Sequence, residues 1–322
     1  MRLATFNLEN LDLPPKADVP IEARARVLRP ALARLDADIV CLQEVNGQRE
    51  AHQKLREPLA LEQLIAGTRY ESYHMVSSTG EHGLADVHNL VTLSRFPIVT
   101  AREVRHDFVP PVTYLPKTAV PPEASPAPLR FDRPLLMTEH DLGGGARVTV
   151  VNLHLRAPLA ASIRGQKLSA YSWRTVGGWA EGFFMSAVRR DGQALELRLL
   201  VEDLFASEPA RLLAVAGDFN AEDRDVPLKI AIGAPEDTGN AELSARSLVL
   251  LDRSVSSDLR WSVLHHGRPQ MLDHILVSHA LHGAFRSLEI HNEVIGDEAV
   301  GFARGFRPAG SSHAAVVAEF DL

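Results

Sequence analysis

Short apolar runs alternate along the chain with segments whose apolar residues recur at the spacing of a helix. Strands are predicted where runs of about four to eight residues are bounded by turn residues. These runs lie at residues 3–8, 38–45, 90–93, 135–139, 146–153, 212–216, 272–277 and 314–320. Helical spacing is clear in residues 21–35 and 194–205, and Pro30 should kink the first helix or start a second segment there. The pattern therefore indicates strands with helices between them.

Two stretches depart from this pattern, and we expect both to be excursions at the surface. Residues 105–134 contain eight prolines, too many for regular structure. Residues 156–190 mix basic and aromatic side chains, among them Arg156, Arg164 and Trp173. Arginine beside aromatic rings can grip phosphates and stack bases. The alternative is an amphipathic cap that packs its aromatic rings onto the core and leaves its arginines in water.

Composition limits the class of protein. The chain has 322 residues, 45% of them hydrophobic and 23% charged, which is typical of a globular protein with a large core. A formal net charge of -7 and a pI of about 6.1 argue against a general basic field that coats nucleic acid. A polyanionic substrate would therefore have to bind at a local positively charged region. Cys41 is the only cysteine, which excludes a disulfide within the chain.

The start of the chain and the length of its apolar runs bear on location. Asn7, Glu9, Asn10 and Asp12 interrupt the N-terminus at once, so no secretory signal is visible. The sequence also lacks a stretch of about 18 apolar residues that could span a bilayer. We therefore expect a cytoplasmic protein with no stable membrane association.

Polar residues repeatedly stand at the ends of the apolar runs. In Gly217-Asp218-Phe219-Asn220, the two polar residues are two positions apart and point the same way from an extended segment. On its own, this tetrapeptide is explained equally well by a strand followed by an Asx turn. The others in the set are Asn7, Glu44, Asn152, His154, Asp273 and His313. Burying so many polar groups costs free energy unless they bind one another or a cation, so together they favour one shared site.

Seven blocks in this order resemble the endonuclease/exonuclease/phosphatase superfamily, and the resemblance covers nearly the whole chain. The blocks are Thr5-Phe6-Asn7, Leu42-Gln43-Glu44-Val45, Ser94-Arg95-Phe96-Pro97-Ile98, Asn152-Leu153-His154, Gly217-Asp218-Phe219-Asn220, Leu272-Asp273-His274-Ile275-Leu276 and Ser312-His313. The resemblance implies one domain over residues 1–322, with the fold of a four-layer α/β sandwich. In that fold two mixed β-sheets pack face to face, flanked by helices, and the site lies at one end between the sheets.

The resemblance also implies roles in the hydrolysis of a phosphate ester. Glu44 is the expected metal ligand, with Asn7 beside it, and their oxygen atoms suit Mg²⁺, or Mn²⁺ in its place. Asp218 would orient or deprotonate the attacking water, and Asn220 would hydrogen-bond the developing phosphorane.

Two histidines and a further acid complete the implied catalytic set. His313, oriented by Asp273, would donate to the phosphate, while His154 would bind another oxygen or lie near the leaving group. Strand alternation turns His274 away from Asp273, which favours a packing role for it. The predicted substrate-binding residues are Asn152, Arg156, Arg164 and Trp173.

Ser312 departs from the family pattern. Many members carry Ser-Asp-His near the end of the chain, where the aspartate reaches the metal or its waters, but here Ser312 precedes His313. A hydroxyl does not replace that negative charge. We therefore expect a single metal site of weaker affinity that depends on Glu44 and on water.

The leading hypothesis is a Mg²⁺-dependent phosphodiesterase, an endonuclease or exonuclease, that acts on nucleic acid such as DNA. The rival enzyme is a phosphatase or phosphodiesterase of a lipid head group or small phosphoester, with the proline-rich excursion shaping its pocket. A third hypothesis is a binding protein that kept the fold and lost catalysis. Ser312, which replaces the usual aspartate, is the reason for considering it.

Overall fold

The computed structural model describes residues 1–49, 54–80, 83–303 and 308–322. The strands are β1 (Arg2–Leu11), β2 (Ile39–Val45), β3 (His74–Ser77), β4 (Thr79–Gly80), β5 (Gly83–Leu84), β6 (Asn89–Ser94), β7 (Ile98–Val104), β8 (Val112–Tyr114), β9 (Ala127–Leu129), β10 (Leu135–Gly143), β11 (Ala146–His154), β12 (Leu213–Asp218), β13 (Val249–Leu250), β14 (Val263–His265), β15 (Arg268–Gln270), β16 (Asp273–Val277), β17 (Phe285–Ile290) and β18 (Val316–Phe320). The α-helices are α1 (Ile21–Leu35), α2 (Leu59–Ile65), α3 (Val176–Ser207), α4 (Val226–Ile232), α5 (Pro235–Thr238), α6 (His279–His282) and α7 (Glu298–Ala303). Short 3-10 helices lie at Arg69–Ser72, Ala241–Arg246 and Leu251–Ser254.

Most of the described strands belong to two mixed sheets of six strands each. The first has the order β17-β18-β1-β2-β6-β3, and the second has the order β13-β16-β12-β11-β10-β7. β1 is parallel to β2, and β11 is parallel to β12, whereas the other neighbours in these two sheets are antiparallel. The hairpins β4-β5, β8-β9 and β14-β15 form small sheets of their own.

Apolar clusters on both faces of each sheet produce four layers. Residues such as Cys41, Val150 and Ala216 fill the space between the two sheets. The outer face of the first sheet packs against α1 and α2, and the outer face of the second packs against α3 and α4. Burial of one leucine or valine side chain contributes roughly 1.5–3 kcal/mol. The predicted four-layer α/β sandwich is therefore confirmed.

Packing explains where the first helix ends and why its proline is tolerated. Leu28, Leu32 and Leu35 of α1 are buried against the first sheet. α1 runs through Pro30 without a break, so the expected second segment does not start there. The buried leucines on both sides of the proline hold the two turns in one helix. No helix in the described part of the chain combines the length and apolar character that crossing a lipid bilayer requires.

The two expected surface excursions contain more regular structure than the sequence indicates. The proline-rich stretch includes the hairpin β8-β9, and α3 begins at Val176 rather than at residue 194. The start of α3 is fixed by Thr175, whose hydroxyl accepts a hydrogen bond from Gly178 N. Its first turns contain Gly177, Gly178 and Gly182, and glycine has a low helix propensity, so the sequence did not predict this part of the helix.

The excursions pack on each other and on the first half of α3. Ala119, Leu129, Ala161, Ile163 and Met185 form a separate apolar cluster that joins them. We refer to residues 105–134, 156–175 and 176–193 together as the side wall.

Two carboxylates of α3 hold the proline-rich part of the side wall. Glu181 accepts hydrogen bonds from the hydroxyl of Tyr114 and from the backbone N–H of Thr118, both at 2.8 Å. Glu196, which is fully buried, accepts from Asp107 N at 2.7 Å and from Val109 N at 2.6 Å. These bonds satisfy backbone groups that a proline-rich segment cannot pair in a sheet.

Asn152 links the two sheets through their interior. Its Nδ2 donates to the carbonyl oxygen of Val91 at 3.0 Å, and its Oδ1 accepts from Gln43 Nε2 at 2.8 Å. The side chain is fully buried. We expected Asn152 to bind substrate, but its amide is occupied by the protein itself, so the structure gives it this inter-sheet link instead.

Candidate active site

Strand register brings three predicted catalytic residues side by side. His154 is paired with Asp218 across β11 and β12, and Asp218 is paired with Asp273 across β12 and β16. Because β11 and β12 end here and β16 begins here, the three side chains lie at one edge of the second sheet. All three residues are buried. Glu44 and Asn7 stand at the same end of the first sheet.

Asn7 connects the two sheets at this edge. Its Nδ2 donates to Asp218 Oδ2 at 3.1 Å and to Glu44 Oε1 at 3.4 Å, while its Oδ1 accepts from Glu9 N at 2.9 Å. The amide oxygen is therefore committed to the backbone, and the amide NH₂ faces the two carboxylates. This orientation corrects the expectation that Asn7 offers an oxygen to a metal ion, because it acts as a donor that holds the carboxylates together.

Left-handed backbone shapes the end of β1 and β2. Glu9, Asn10 and Glu44 have φ angles of 50°, 51° and 57°, which non-glycine residues seldom adopt. Asn10 N donates to Glu44 Oε2 at 2.9 Å. The guanidinium of Arg24, from α1, donates to the carbonyl oxygen of Glu9 at 2.8 Å. The sequence does not reveal that Arg24 holds this turn, because only the fold brings α1 next to it.

The pKa values of Asp218 and His154 are shifted in opposite directions, although the two residues are neighbours in the same site. Burial, followed by the neighbouring charge of Asp273, raises the pKa of Asp218 to about 7. Burial and the nearby Arg133 guanidinium hold the pKa of His154 well below its ordinary value. His154 is therefore neutral, with Nε2 at 3.4 Å from Asp218 Oδ2.

His313 and Asp273 form a hydrogen-bonded pair. His313 Nδ1 donates to Asp273 Oδ2 at 2.8 Å, and the hydroxyl of Ser262 donates to the same oxygen at 2.7 Å. Burial lowers the pKa of His313, but the Asp273 carboxylate outweighs this and raises it to about 10. His313 is therefore an imidazolium at neutral pH, with Nδ1 at 4.0 Å from Asp218 Oδ2.

Asn220 lies beside Asp218 in a tight turn. Its backbone N–H donates to Asp218 Oδ1 at 2.8 Å, and its φ angle is 49°. Its Nδ2 donates to the carbonyl oxygen of Leu155 at 3.0 Å. The turn thus fixes the Asp218 carboxylate and leaves the amide of Asn220 at the rim of the site.

His274 has a buried role that is more specific than packing. His274 Nδ1 donates to Asp252 Oδ2 at 3.1 Å, and Nε2 donates to the carbonyl oxygen of Ala221 at 2.9 Å. Both partners are acceptors, so the ring carries two protons. Burial alone lowers the pKa of His274, but Asp252 raises it above its ordinary value. The imidazolium ties β16 to the loop that follows Asn220.

Arg133 and His88 belong to the site and were not singled out from the sequence. Arg133 Nε donates to the carbonyl oxygen of His154 at 3.0 Å, and its Nη1 donates to His88 Nδ1 at 2.9 Å. The His88 ring lies 6.2 Å from that of His154 and nearly parallel to it. Each of the two residues stands just before a strand, β10 or β6, which is the same signal that marked the other site residues.

The predicted substrate-binding arginines and tryptophan separate in the structure. Arg156 lies near the cluster, with Nη1 at 3.1 Å from Asp132 Oδ2. Arg164 is exposed, and its carbonyl oxygen accepts from Val120 N in the side wall. Trp173 is half-buried and stacks under the ammonium group of Lys167 at 4.3 Å. The described contacts of Arg164 and Trp173 thus lie within the side wall.

Ser312 is paired with a carboxylate from another strand. The backbone N–H and the hydroxyl of Ser312 both donate to Glu9 Oε2, at 2.7 and 2.8 Å. The carboxylate of Glu9, near the end of β1, therefore lies next to the position at which the family pattern places an aspartate.

The carboxylate oxygens around His154 suit a hard divalent cation, and those of Glu44 also accept hydrogen bonds from Asn7 and Asn10. Glu44 Oε1 and Asp218 Oδ2 both lie within 4 Å of His154 Nε2, at 3.9 and 3.4 Å. Carboxylate oxygens are the ligands that Mg²⁺ and Mn²⁺ prefer, and the repulsion that raises the pKa of Asp218 includes Glu44. Asp218, Asp273 and His313 also converge, with ligand atoms within 4.8 Å. In that group, however, the His313–Asp273 hydrogen bond already uses a ligand atom from each partner.

A sandwich of two mixed sheets with this cluster at the strand ends defines a class of hydrolases that act on phosphate esters. The chain belongs to the endonuclease/exonuclease/phosphatase family, whose sequence model matches residues 4–313. No curated protein sequence matches the chain.

Solved structures share the fold at low sequence identity. The 3′ phosphatase NExo from Neisseria, bound to a product DNA hairpin, is 18% identical over 100% of both chains, with a TM-score of 0.53. Humanized TDP2 of D. rerio is 14% identical over 100% of this chain and 99% of that one, with a TM-score of 0.58. A conserved protein of unknown function from Enterococcus faecalis V583 is 16% identical over 100% and 99%, with a TM-score of 0.56.

We predict that His274→Ala destabilises the protein by about 3–5 kcal/mol, because it leaves the Asp252 carboxylate buried without its partner. Urea unfolding followed by circular dichroism measures the change. His279→Ala, at an exposed position on α6, is the control and should cost less than about 1 kcal/mol. Adding Asp252→Asn to His274→Ala should recover part of the loss. A loss below about 1 kcal/mol for His274→Ala would show that the pair does not hold the loop.

Proposed function

We propose that the protein is a divalent-metal-dependent phosphodiesterase that acts on nucleic acid by in-line attack of a water molecule. The observation that supports this proposal is that His154, Asp218 and Asp273 lie side by side on three neighbouring strands. The His313 imidazolium and Glu44 lie around them. Hydrolysis of a phosphodiester needs a base near the attacking water and positive charge around the phosphate oxygens. The array supplies both in one buried cluster.

In this proposal Asp218 is the base. Its pKa of about 7 leaves a substantial fraction ionised at neutral pH while keeping enough basicity to accept a proton from water. Asn7 and the backbone of Asn220 hold its two oxygens, at 3.1 and 2.8 Å. The carboxylate is therefore oriented before the substrate arrives, which reduces the cost of reorganisation.

The remaining residues act on the phosphate. The His313 imidazolium donates a hydrogen bond to a non-bridging oxygen, and Asp273 keeps it charged and oriented. Neutral His154 binds a further oxygen or the leaving group, and Asn220 binds the phosphorane. A Mg²⁺ or Mn²⁺ ion held by Glu44 would neutralise charge on the phosphate oxygens.

A nucleic-acid substrate is supported by neighbours and by local charge. NExo is described as a 3′ phosphatase and was solved with a DNA hairpin as product. Arg133 and Arg156 place positive charge at the rim of the site, in a chain whose formal net charge is -7. This is the local positive region that an acidic protein needs to meet a polyanion.

A lipid or small phosphoester is the second candidate. Val176, Trp179 and Phe183 are spaced three and four residues apart on α3, and they are 81%, 45% and 37% exposed. An exposed apolar stripe of this kind would also suit a lipid surface. Substrate comparison separates the two candidates.

We predict that Asp218→Asn lowers hydrolysis by about 10²–10⁴-fold, because it removes the proposed base. Release of product from plasmid DNA, single-stranded DNA, RNA, bis-p-nitrophenyl phosphate and sphingomyelin, each with Mg²⁺, measures the activity. Asp258→Asn, at an exposed position, is the matched control and should keep full activity. Turnover of only the lipid or the small ester would overturn the nuclease proposal. Equal background rates for the parent and Asp218→Asn would favour a binding protein.

We predict a falling limb in the pH profile near pH 10. His313, whose pKa is about 10, must be protonated to donate to the phosphate, so the rate should fall as rising pH removes that proton. The kcat/KM for bis-p-nitrophenyl phosphate, measured from about pH 7 to about pH 11, shows the limb. Asp273→Asn removes the charge that raises this pKa and should move the limb to lower pH. A limb at the same pH in both proteins would contradict the assignment to His313.

We predict that one Mg²⁺ or Mn²⁺ ion binds per chain and that chelation stops hydrolysis. Isothermal titration calorimetry with Mn²⁺ measures the number of ions and the affinity. Glu44→Gln should weaken binding at least about tenfold, because it removes the ligand charge. Glu22→Gln, on the exposed face of α1, should leave the affinity unchanged. Two tightly bound ions per chain would show that Glu9 and Ser312 build a second site.

A further inference from the structure

Arg189 lies where the side wall meets the catalytic cluster. Ser186, Arg189 and Gln193 are three and four residues apart on α3, so they share one face of the helix. Both of the flanking residues contact Arg156, whose backbone N–H donates to Gln193 Oε1 at 2.8 Å and whose Nε donates to Ser186 Oγ at 3.4 Å. The face of α3 that carries Arg189 is therefore the face turned toward Arg156.

A short chain of contacts connects this face to the catalytic residues. Gln193 Nε2 donates to the carbonyl oxygen of Arg133 at 3.4 Å, and Arg133 Nε donates to the carbonyl oxygen of His154 at 3.0 Å. Arg156 itself follows His154 by two residues. Arg133, Arg156 and Arg189 thus form a continuous run of positive charge that leads away from the catalytic cluster.

Two of these arginines have protein partners among the described residues, and the side chain of Arg189 does not. Asp132 pairs with Arg156 at 3.1 Å, and Arg133 bonds to carbonyl oxygens and to His88. Arg189 has no hydrogen bond or ion pair with any described residue, and its Nε is buried without a partner. Burial and the nearby Arg156 charge lower the pKa of Arg189, while Asp132 opposes them.

The fold pays free energy for the buried, unpartnered Nε of Arg189 and for the nearby charge of Arg156. Buried donors in folded proteins almost always have partners, and like charges at close range repel. The arrangement becomes favourable when an anion binds there. Guanidinium groups bind phosphate through paired hydrogen bonds that are roughly twice as strong as neutral ones.

We propose that Arg156 and Arg189 form a subsite for a second phosphate group of the substrate, next to the phosphate that is hydrolysed. This inference rests on the proposed phosphodiesterase function and deepens it, since it names a substrate that carries at least two phosphates. The second phosphate belongs either to the next nucleotide of a strand or to a small phosphorylated ester. Arg133 lies between the subsite and His154, where its hydrogen bonds hold the backbone of His154 and Leu155.

A pair of esters that differ by one phosphate tests the subsite. Thymidine 5′-(p-nitrophenyl phosphate) carries only the scissile group, and its 3′-phosphorylated form carries the second phosphate as well. The parent protein should have a KM about tenfold lower for the 3′-phosphorylated ester, as expected for a charge-assisted contact. Arg189→Gln should reduce that preference to about twofold or less, without changing kcat/KM for the ester that has one phosphate.

Two further variants separate charge from packing. Arg189→Lys keeps the charge but loses the paired hydrogen bonds, so it should retain only part of the preference for the 3′-phosphorylated ester. Arg147→Gln changes an arginine at the opposite end of β11 from His154 and should leave both esters unaffected. Circular dichroism and thermal unfolding confirm that each variant is folded. An equal loss for both esters in Arg189→Gln would show a structural role and overturn the subsite.

Binding tests the subsite even if neither ester is hydrolysed. Isothermal titration calorimetry compares thymidine 3′,5′-bisphosphate with thymidine 5′-monophosphate on the parent and on Arg189→Gln. Tighter binding of the bisphosphate that Arg189→Gln abolishes supports the subsite, and equal affinities overturn it. Absence of turnover with intact bisphosphate binding would refute the proposed function and leave the subsite standing.

A third ester pair distinguishes the two sources of the second phosphate. A p-nitrophenyl phosphate ester of propanediol, with and without a terminal phosphate, lacks the nucleoside. A preference of the same size in this pair supports a subsite that reads a small phosphorylated ester. A preference that appears only in the thymidine pair supports a subsite that reads the next phosphate of a strand.

Discussion

The catalytic cluster depends on one amide that spans the two sheets. Asn7 donates to Glu44 on the first sheet and to Asp218 on the second, at 3.4 and 3.1 Å, and it is fully buried. Hydrogen bonds to charged groups contribute roughly 1.5–3 kcal/mol each. Because the two carboxylates belong to different sheets, this bridge and the apolar layer between the sheets together set the distance between the proposed metal ligand and the proposed base.

Burial then gives neighbouring groups different protonation states. The pKa of Asp218 rises to about 7 and that of His313 to about 10, whereas that of His154 falls well below its ordinary value. Burial raises the pKa of Asp218 and lowers that of His154, and the charges of Asp273 and Arg133 add to these shifts. For His313, the Asp273 carboxylate outweighs burial. A single dry pocket can therefore hold a base, a cation and a neutral ring within a few ångströms of one another.

The side wall lies outside the two large sheets and is held in place by α3. The carboxylates of Glu181 and Glu196 accept hydrogen bonds from the backbone of a proline-rich segment that lies outside both large sheets. The segment is thereby fixed against the first half of α3. The same packing turns Arg189 toward Arg156, and the stripe of Val176, Trp179 and Phe183, nearer the start of α3, stays in contact with solvent.

The sequence determined the central strands of both large sheets and most of the cluster, because buried strands are continuous apolar runs and a polar residue at the end of such a run stands at the sheet edge. It did not predict the edge strands β3, β7, β13 and β17. Asp218, His154 and Asp273 were predictable in this way, and the structure brings them together through strand register. Tertiary structure alone decided the length of α3, the donor role of the Asn7 amide, the inter-sheet place of Asn152, and the pairing of Ser312 with Glu9. Each of these depends on contacts between residues far apart in the chain, and neither periodicity nor local spacing contains that information.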